Sequence, residues 1–136
     1  MKNRKKNIKL SALIIAHNEE KKLNSCLSKL QLVDEIVVVL DKTNDKSKSI
    51  AKKFTKNIYE GSWDLEGERR NFGLNKCKGD WVLEIDADEH VTKGLLIEIK
   101  EKIINAKPGY FLIPFDNFIG NRVNREGIKV AKKFVL

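Results

Sequence analysis

Three short apolar runs constrain this chain more than anything else in it: "LSALIIA" at 10–16, "VDEIVVVLD" at 33–41 and "WVLEID" at 81–86. Each reads as a strand buried on both faces, because hydrophobic side chains follow one another without a polar alternation. Each then stops in polar, acid-rich residues: "HNEE", "DKTND" and "DADEH". Helical patterns lie between them. "EEKKLNSCLSKLQL" places Leu23, Cys26, Leu27 and Leu30 at helical spacing, and "KTNDKSKSIAKKF" puts Ile50, Ala51 and Phe54 on one helical face, with Asn44 or Asp45 as its cap. "KNIYEG" predicts a further strand, and "SWDLEGERRNFGLNKCKGD" a loop, a helix and a turn. "TKGLLIEIKEKIINA" predicts an amphipathic helix capped by Thr92, with Leu95, Leu96, Ile99 and Ile103 as its apolar face. "YFLIPFDNFIG" reads as a strand that Pro114 assigns to an edge or a bulge, and "KVAKKFVL" as another strand.

Strands that alternate with helices imply βαβ units and a mostly parallel sheet, an α/β fold. Ligands of such sheets sit beyond the carboxyl ends of the strands. The three acid-rich segments lie at those ends, so they are expected to converge on one crevice. A length of 136 residues suits one domain, and 41% hydrophobic with 34% charged residues suits a soluble globular one.

The net charge of +8 points to anionic partners. The basic residues are dispersed and aromatics are only 7%, which argues against nucleic acid, whose binding needs a basic patch interleaved with stacking rings. Cys26 and Cys77 stand alone without metal-site spacing, which argues against a zinc site and fits a reducing, cytoplasmic compartment. The start is basic and then apolar. Its apolar part is short and runs into His17 without a small-residue cleavage pattern, so residues 1–7 read as a basic tail before a buried strand, not as a signal peptide. No run approaches the roughly 18 apolar residues of a membrane helix. The tail can still touch an anionic leaflet.

Asp86 and Asp88 flank one alanine at a strand end, where alternate side chains point the same way. Oxygen ligands without His or Cys favour Mg2+ or Mn2+, which keep waters and take one or two carboxylates plus substrate phosphates. Asp41 and Asp45 follow the second strand and can accept hydrogen bonds from a ribose or a base, Asp45 serving equally well as a helix cap. Glu19 fits the first turn of a helix, and His17 is a loop residue able to hydrogen-bond. Guanidinium groups at Arg69 and Arg70, before Asn71, suit a diphosphate, although neighbours on a helix diverge by about 100° and one of the pair is expected to face solvent. Trp63 and Trp81 read as core or rim residues. Dinucleotide, P-loop, nucleophile-elbow and zinc-protease motifs are absent.

In order and spacing, "SALIIAHNEEKKLNSCLSKL", "VDEIVVVLDKTNDKSKSIAKKF" and "ERRNFGLNKCKGDWVLEIDADEHVT" resemble glycosyltransferase family 2, with the GT-A fold. The chain looks most like bacterial enzymes that add sugars to the lipopolysaccharide core, and "FLIPFDNFIGNRVNREG" resembles the segment that follows in that subgroup. The resemblance covers residues 8 to 127 and is specific as a combination of motifs, each weak alone. It implies a Rossmann-like, mostly parallel sheet with helices on both faces. It implies an inverting transfer from a nucleotide-sugar, a UDP-sugar, to a lipid-linked or other cell-envelope glycan at the inner face of the membrane. His17, Asn18 and Glu19 would then contact the base, Asp41 the uridine with Asp45 nearby, and Arg70 and Asn71 the nucleotide. Asp86 and Asp88 would hold Mg2+ or Mn2+ on the diphosphate, with Glu89 and His90 on the water side.

Two features depart from the family. Its members are roughly twice as long, and their acceptor-side half supplies the catalytic base. The expected organisation is therefore a nucleotide-sugar-binding domain at 8–117 and an incomplete acceptor-side region at 118–136, with the acceptor half missing and no base assigned. "DKTND" also departs from the commoner acid-Ser-x-Ser-x-Asp pattern. Two other readings remain at this point. One is a nucleotide-sugar-binding fragment or half of a split enzyme. The other is a phosphoacceptor signalling domain, in which the Asp86–Asp88 pair has no place.

Overall fold

A computed structural model describes residues 7–119 and 122–132, so most of the basic tail and the last four residues lie outside the described residues. The elements are β1 (Leu10–Ala16), α1 (Leu23–Ser28), β2 (Glu35–Asp41), α2 (Ser47–Ala51), β3 (Asn57–Gly61), α3 (Glu66–Lys76), β4 (Trp81–Asp86), α4 (Lys93–Lys102), β5 (Tyr110–Ile119) and β6 (Arg122–Lys132). They form one sheet in the order β3-β2-β1-β4-β6-β5. The first four of these neighbours are parallel, while β6 runs antiparallel to both β4 and β5.

The chain moves outward from β1 in both directions, so β1 marks the switch point of the sheet. Ala16 lies opposite Leu40 on β2 and Ile15 opposite Asp86 on β4, which brings the three acid-rich ends to one level.

The continuous apolar runs are explained by burial on both faces. On one face Ala12, Ile14, Val38, Leu40, Leu83 and Ile85 meet Leu23, Cys26 and Leu27 of α1, Ala51 of α2 and Leu96 and Ile99 of α4. On the other, Leu13, Val37, Val39 and Val82 meet Cys77 and the α3 residues Phe72 and Leu74. Helices thus cover both faces, as the resemblance implied.

Three local expectations are borne out and three are adjusted. Thr92 Oγ1 accepts the Leu95 N–H at 3.1 Å and caps α4. Pro114 lies on β5, the sheet edge, where its missing N–H costs no ladder bond to a further strand. Trp81 is a core residue at 1% exposure. By contrast, α1 is only six residues long, and Leu30 is buried from the turn beyond it. At the start of α2, Asp45 Oδ1 accepts Ser47 N–H two residues on, a side-chain turn instead of a helix cap. The last strand begins at Arg122, not Lys129: its polar first half carries little strand propensity of its own but pairs along the whole of β5.

The opposite pole of the sheet is locked by one buried hydroxyl. Ser11 Oγ donates to Glu35 Oε2 at 2.5 Å and accepts Gly79 N–H at 2.8 Å, and Lys78 N–H donates to the same carboxylate oxygen at 2.8 Å. A Cβ at Gly79 would stand 2.5 Å from Ser11 Oγ and 2.7 Å from the Ser11 backbone nitrogen. The backbone of β1 cannot yield without breaking its ladders. Gly79→Ala is therefore expected to destabilise the protein by about 1–3 kcal/mol, read as a lower urea midpoint. An unchanged midpoint would show that the entry to β4 tolerates a side chain.

Candidate functional site at the carboxyl ends of the strands

The loops after β1 and β2 are fastened to each other. His17 Nδ1 lies 2.8 Å from the Asp41 carbonyl oxygen, which can only accept, so Nδ1 carries the proton and Nε2 is left as the outward nitrogen. Asn18 N–H donates to Thr43 Oγ1 at 3.3 Å, and Asn18 Oδ1 accepts Asn44 N–H at 2.9 Å. Glu19 N–H donates to Ser47 Oγ at 3.2 Å. Glu20 N–H donates to Asp45 Oδ2 at 3.1 Å, and Glu20 Oε2 accepts Lys46 N–H at 3.1 Å.

The geometry demands unusual backbone. Asn18 and Lys42 both adopt positive φ, 48° and 49°. Asn tolerates this region, while at Lys42 it costs about 1–2 kcal/mol, offset by the surrounding bonds.

This fastening separates the candidate residues. Burial alone would raise the Asp45 carboxyl, but the Ser47 side chain and then the backbone N–H groups that both its oxygens accept hold it below the usual range. Asp45 therefore shapes the crevice. The His17 Nε2, the Asn18 amide nitrogen and the Glu19 carboxylate are the groups these bonds leave for a ligand.

Asp41 is 5% exposed. Its Oδ2 accepts Arg69 Nη1 at 2.9 Å and its Oδ1 the Trp63 N–H at 3.1 Å. Burial alone would raise this carboxyl, but those two hydrogen bonds and the charges of Arg69 and Lys42 hold it below the ordinary range. Trp63 forms the rim here, tilted on Phe72 with ring centroids 5.0 Å apart. Arg70 turns the other way and grips Glu84 of β4 with both nitrogens, Nε at 2.9 Å and Nη2 at 2.7 Å. Both arginines are paired, and Arg70, expected with its neighbour to diverge on the helix, keeps 41% of its side chain exposed against 27% for Arg69. Asn71 is exposed on α3 and is not drawn into this network.

β4 ends at Asp86, and the chain turns at once. Asp86 and Asp88 are exposed on either side of buried Ala87, and among the described residues neither is paired with Lys or Arg. Glu89 was expected on the water side. Instead it folds back half-buried, its N–H donating to the Asp86 carbonyl at 2.9 Å and its Oε1 accepting the Asp86 N–H at 2.8 Å. Burial, then the charges of Asp86 and Asp88, push its carboxyl up.

Cys26 lies below this turn, with Sγ 3.7 Å from the Asp86 carbonyl oxygen. Burial first, then the three carboxylates, push its thiol up to about 12, so it is not a thiolate ligand. No three His, Cys, Asp or Glu side chains among the described residues form a ready metal cage. Two open carboxylates instead fit Mg2+ or Mn2+, which complete their shells with water and phosphate.

Thr43, Ser47, Glu20, Trp63 N–H and Glu84 were not singled out in sequence. Only "NDKS", with its turn-forming Asn, Asp and Ser, carried a signal for the loop-to-loop fastening. A groove of about 480 Å³ lined by Leu30, Ile36, Phe54 and Thr55 opens at the other pole of the sheet, away from these acids.

The model of the family "Glycosyl transferase family 2" matches residues 11–133. An uncharacterized glycosyltransferase of Rickettsia bellii is 33% identical over 93 residues, covering 68% of this chain and 32% of that protein. The lipopolysaccharide core biosynthesis glycosyltransferase LpsC of Rhizobium meliloti is 30% identical over 122 residues, covering 85% of this chain and 42% of LpsC. The chain thus spans about a third to two fifths of the length of these relatives. Among solved structures, residues 1–349 of S. aureus TarS superpose with a TM-score of 0.75 at 21% identity, over 93% of this chain and 47% of that one. The same TarS segment in complex with UDP-GlcNAc superposes with a TM-score of 0.68 at 25% identity, over 85% of this chain and 36% of that one. Glucosyl-3-phosphoglycerate synthase from Mycobacterium tuberculosis, in complex with Mg2+ and UDP, gives 0.54 at 24% identity over 63% of this chain and 36% of that one. The sheet and its helices are those of the GT-A fold.

Arg69→Met leaves the buried Asp41 carboxylate without its cation. The expected loss is on the order of 3 kcal/mol at neutral pH, read by urea unfolding. Because the folded Asp41 carboxyl is depressed, its contribution is present above the ordinary carboxylate range and lost as pH falls through the depressed value. The variant should therefore show a flatter decline of stability on acidification. An equal decline in both proteins would count against the pair.

Proposed function

The chain belongs to glycosyl transferase family 2, and from that membership we propose that it binds a nucleotide-sugar, a UDP-sugar, across the carboxyl ends of β1, β2 and β4. The observation that carries this reading is the pair of open carboxylates, Asp86 and Asp88, at the level of the fastened loops. In this reading His17, Asn18 and Glu19 face the base and ribose. Asp41 is held ionised by Arg69 at the uridine side, with Asp45 shaping the loop. Arg70 and Asn71 flank the nucleotide from α3. Asp86 and Asp88 hold Mg2+ or Mn2+, which supplies positive charge to the departing diphosphate.

The reaction is a single displacement with inversion. The acceptor oxygen bonds to the anomeric carbon as the bond to the nucleoside diphosphate breaks, and a carboxylate takes the acceptor's proton. Glu89 is not assigned as that base, because its Oε1 is occupied by the Asp86 N–H. No base is assigned among the site residues; residues 8–117 are read as the donor-binding unit and 118–136 as the start of the acceptor side.

The kinship with LpsC supports a lipopolysaccharide core or related envelope glycan as acceptor. No helix among the described residues is long and apolar enough to cross a membrane. The net charge of +8 supports a cytoplasmic protein in peripheral contact with the anionic inner face. Sedimentation with vesicles containing anionic lipid, reversed by salt, is the expected signature, and equal binding to neutral vesicles would contradict it.

Calorimetry with UDP-sugars tests the site. Binding should require Mn2+ or Mg2+, and Asp88→Ala should weaken it at least about tenfold. Metal-independent binding, or full affinity in that variant, would remove this reading. A second reading is a non-catalytic nucleotide-sugar-binding module, which the occupied Glu89 carboxylate and the unassigned base support. It predicts the same binding without sugar transfer, so transfer by this chain alone would exclude it.

A further inference from the structure

Asp86 is held at both of its backbone atoms. The N–H and C=O of one strand residue point to the same side, and in a sheet a neighbouring strand would receive both. Among the described residues β6 pairs with β4 only from Trp81 to Leu83; beyond that β6 continues along β5 alone, so the ladder on this side of β4 stops three residues before Asp86. Glu89 takes its place. Its side-chain Oε1 accepts the Asp86 N–H at 2.8 Å, and its own N–H donates to the Asp86 carbonyl at 2.9 Å. Cys26 Sγ meets that carbonyl from below at 3.7 Å. Ala87 and Val91, at 3% and 2% exposure, pin the two ends of the turn into the core. The closed ring leaves the Asp86 and Asp88 side chains outside.

An inward carboxylate beside two like charges is electrostatically unfavourable, and a neutral acceptor would do the same work at lower cost. The hydrogen bond, not the charge, accounts for the placement. From this geometry we propose that Glu89 is a positioning residue: it fixes the backbone of Asp86 so that the Asp86 and Asp88 carboxylates stand at the separation a divalent cation requires. It acts through its side-chain bond to the Asp86 N–H and touches neither cation nor substrate. The proposal rests on the reading of Asp86 and Asp88 as the metal pair.

Two variants separate this role from a charged one. Gln keeps an oxygen at the same reach and loses the charge; Asp keeps the charge and falls short of the N–H. Mn2+ binding in the presence of UDP, followed by electron paramagnetic resonance, is the first readout, and hydrogen exchange at the Asp86 amide the second. Glu89→Gln should retain most of the wild-type Mn2+ affinity and the amide protection. Glu89→Asp should lose about 10–100-fold in affinity together with that protection. The reverse order, Asp retaining affinity and Gln losing it, would assign Glu89 a charge or ligand role and overturn the proposal. So would unchanged affinity in Glu89→Asp while Asp88→Ala loses it. Full Mn2+ affinity in Asp88→Ala would instead remove the metal pair itself, and the proposal with it.

Discussion

Parallel pairing of β1 with β2 on one side and β4 on the other is the constraint on which everything else depends. The register places Ala16 opposite Leu40 and Ile15 opposite Asp86. Side chains are buried on both faces of these strands, so a slip of one residue would expose a full set of aliphatic groups. The level of the strand ends is therefore set by the core, and the acids arrive at one rim without needing any attraction to each other. The Ser11, Glu35 and Gly79 contacts at the opposite pole hold the same register from below.

So many carboxylates at one rim would repel if all were alike, and the structure gives them unlike environments. Asp45, Glu20 and Glu89 accept backbone N–H groups and serve as braces. Asp41 and Glu84 are paired with Arg69 and Arg70, which reach from the same helix in different directions. Asp86 and Asp88 stay open. A neutral-to-anionic rim with two unpaired carboxylates suits a cation that arrives with a diphosphate, because the ion answers both sets of negative charge.

The braces also explain how short elements hold a defined crevice. α2 has five residues and α1 six, too few to be stable by propensity. Their entry loops are joined by side-chain-to-backbone bonds from Asn18, Glu20, Asp45 and Ser47, so each loop supplies what the other lacks. That arrangement carries the positive φ at Asn18 and the strained backbone at Lys42.

From sequence alone, the elements were legible wherever a local pattern encodes them: the apolar runs of β1, β2 and β4, the Thr92 cap and the edge position of Pro114. The convergence of acid-rich ends was legible too, since it follows from βαβ topology. The division of labour among the acids was not. Asp41 and Arg69 are 28 residues apart, Glu20 and Lys46 are 26 apart, and no periodicity links them. Asp86, Asp88 and Glu89 look alike in a string of letters, and β6 looks half like a loop. Their different roles come from whichever backbone N–H, guanidinium or strand edge the folded chain brings within hydrogen-bond reach. The sequence by itself determined which residues gather at the rim, because burial of the strands is a local property. Only the tertiary structure decided which carboxylates brace, which pair and which stay open, because hydrogen bonds act over about 3 Å and depend on partners distant in the chain.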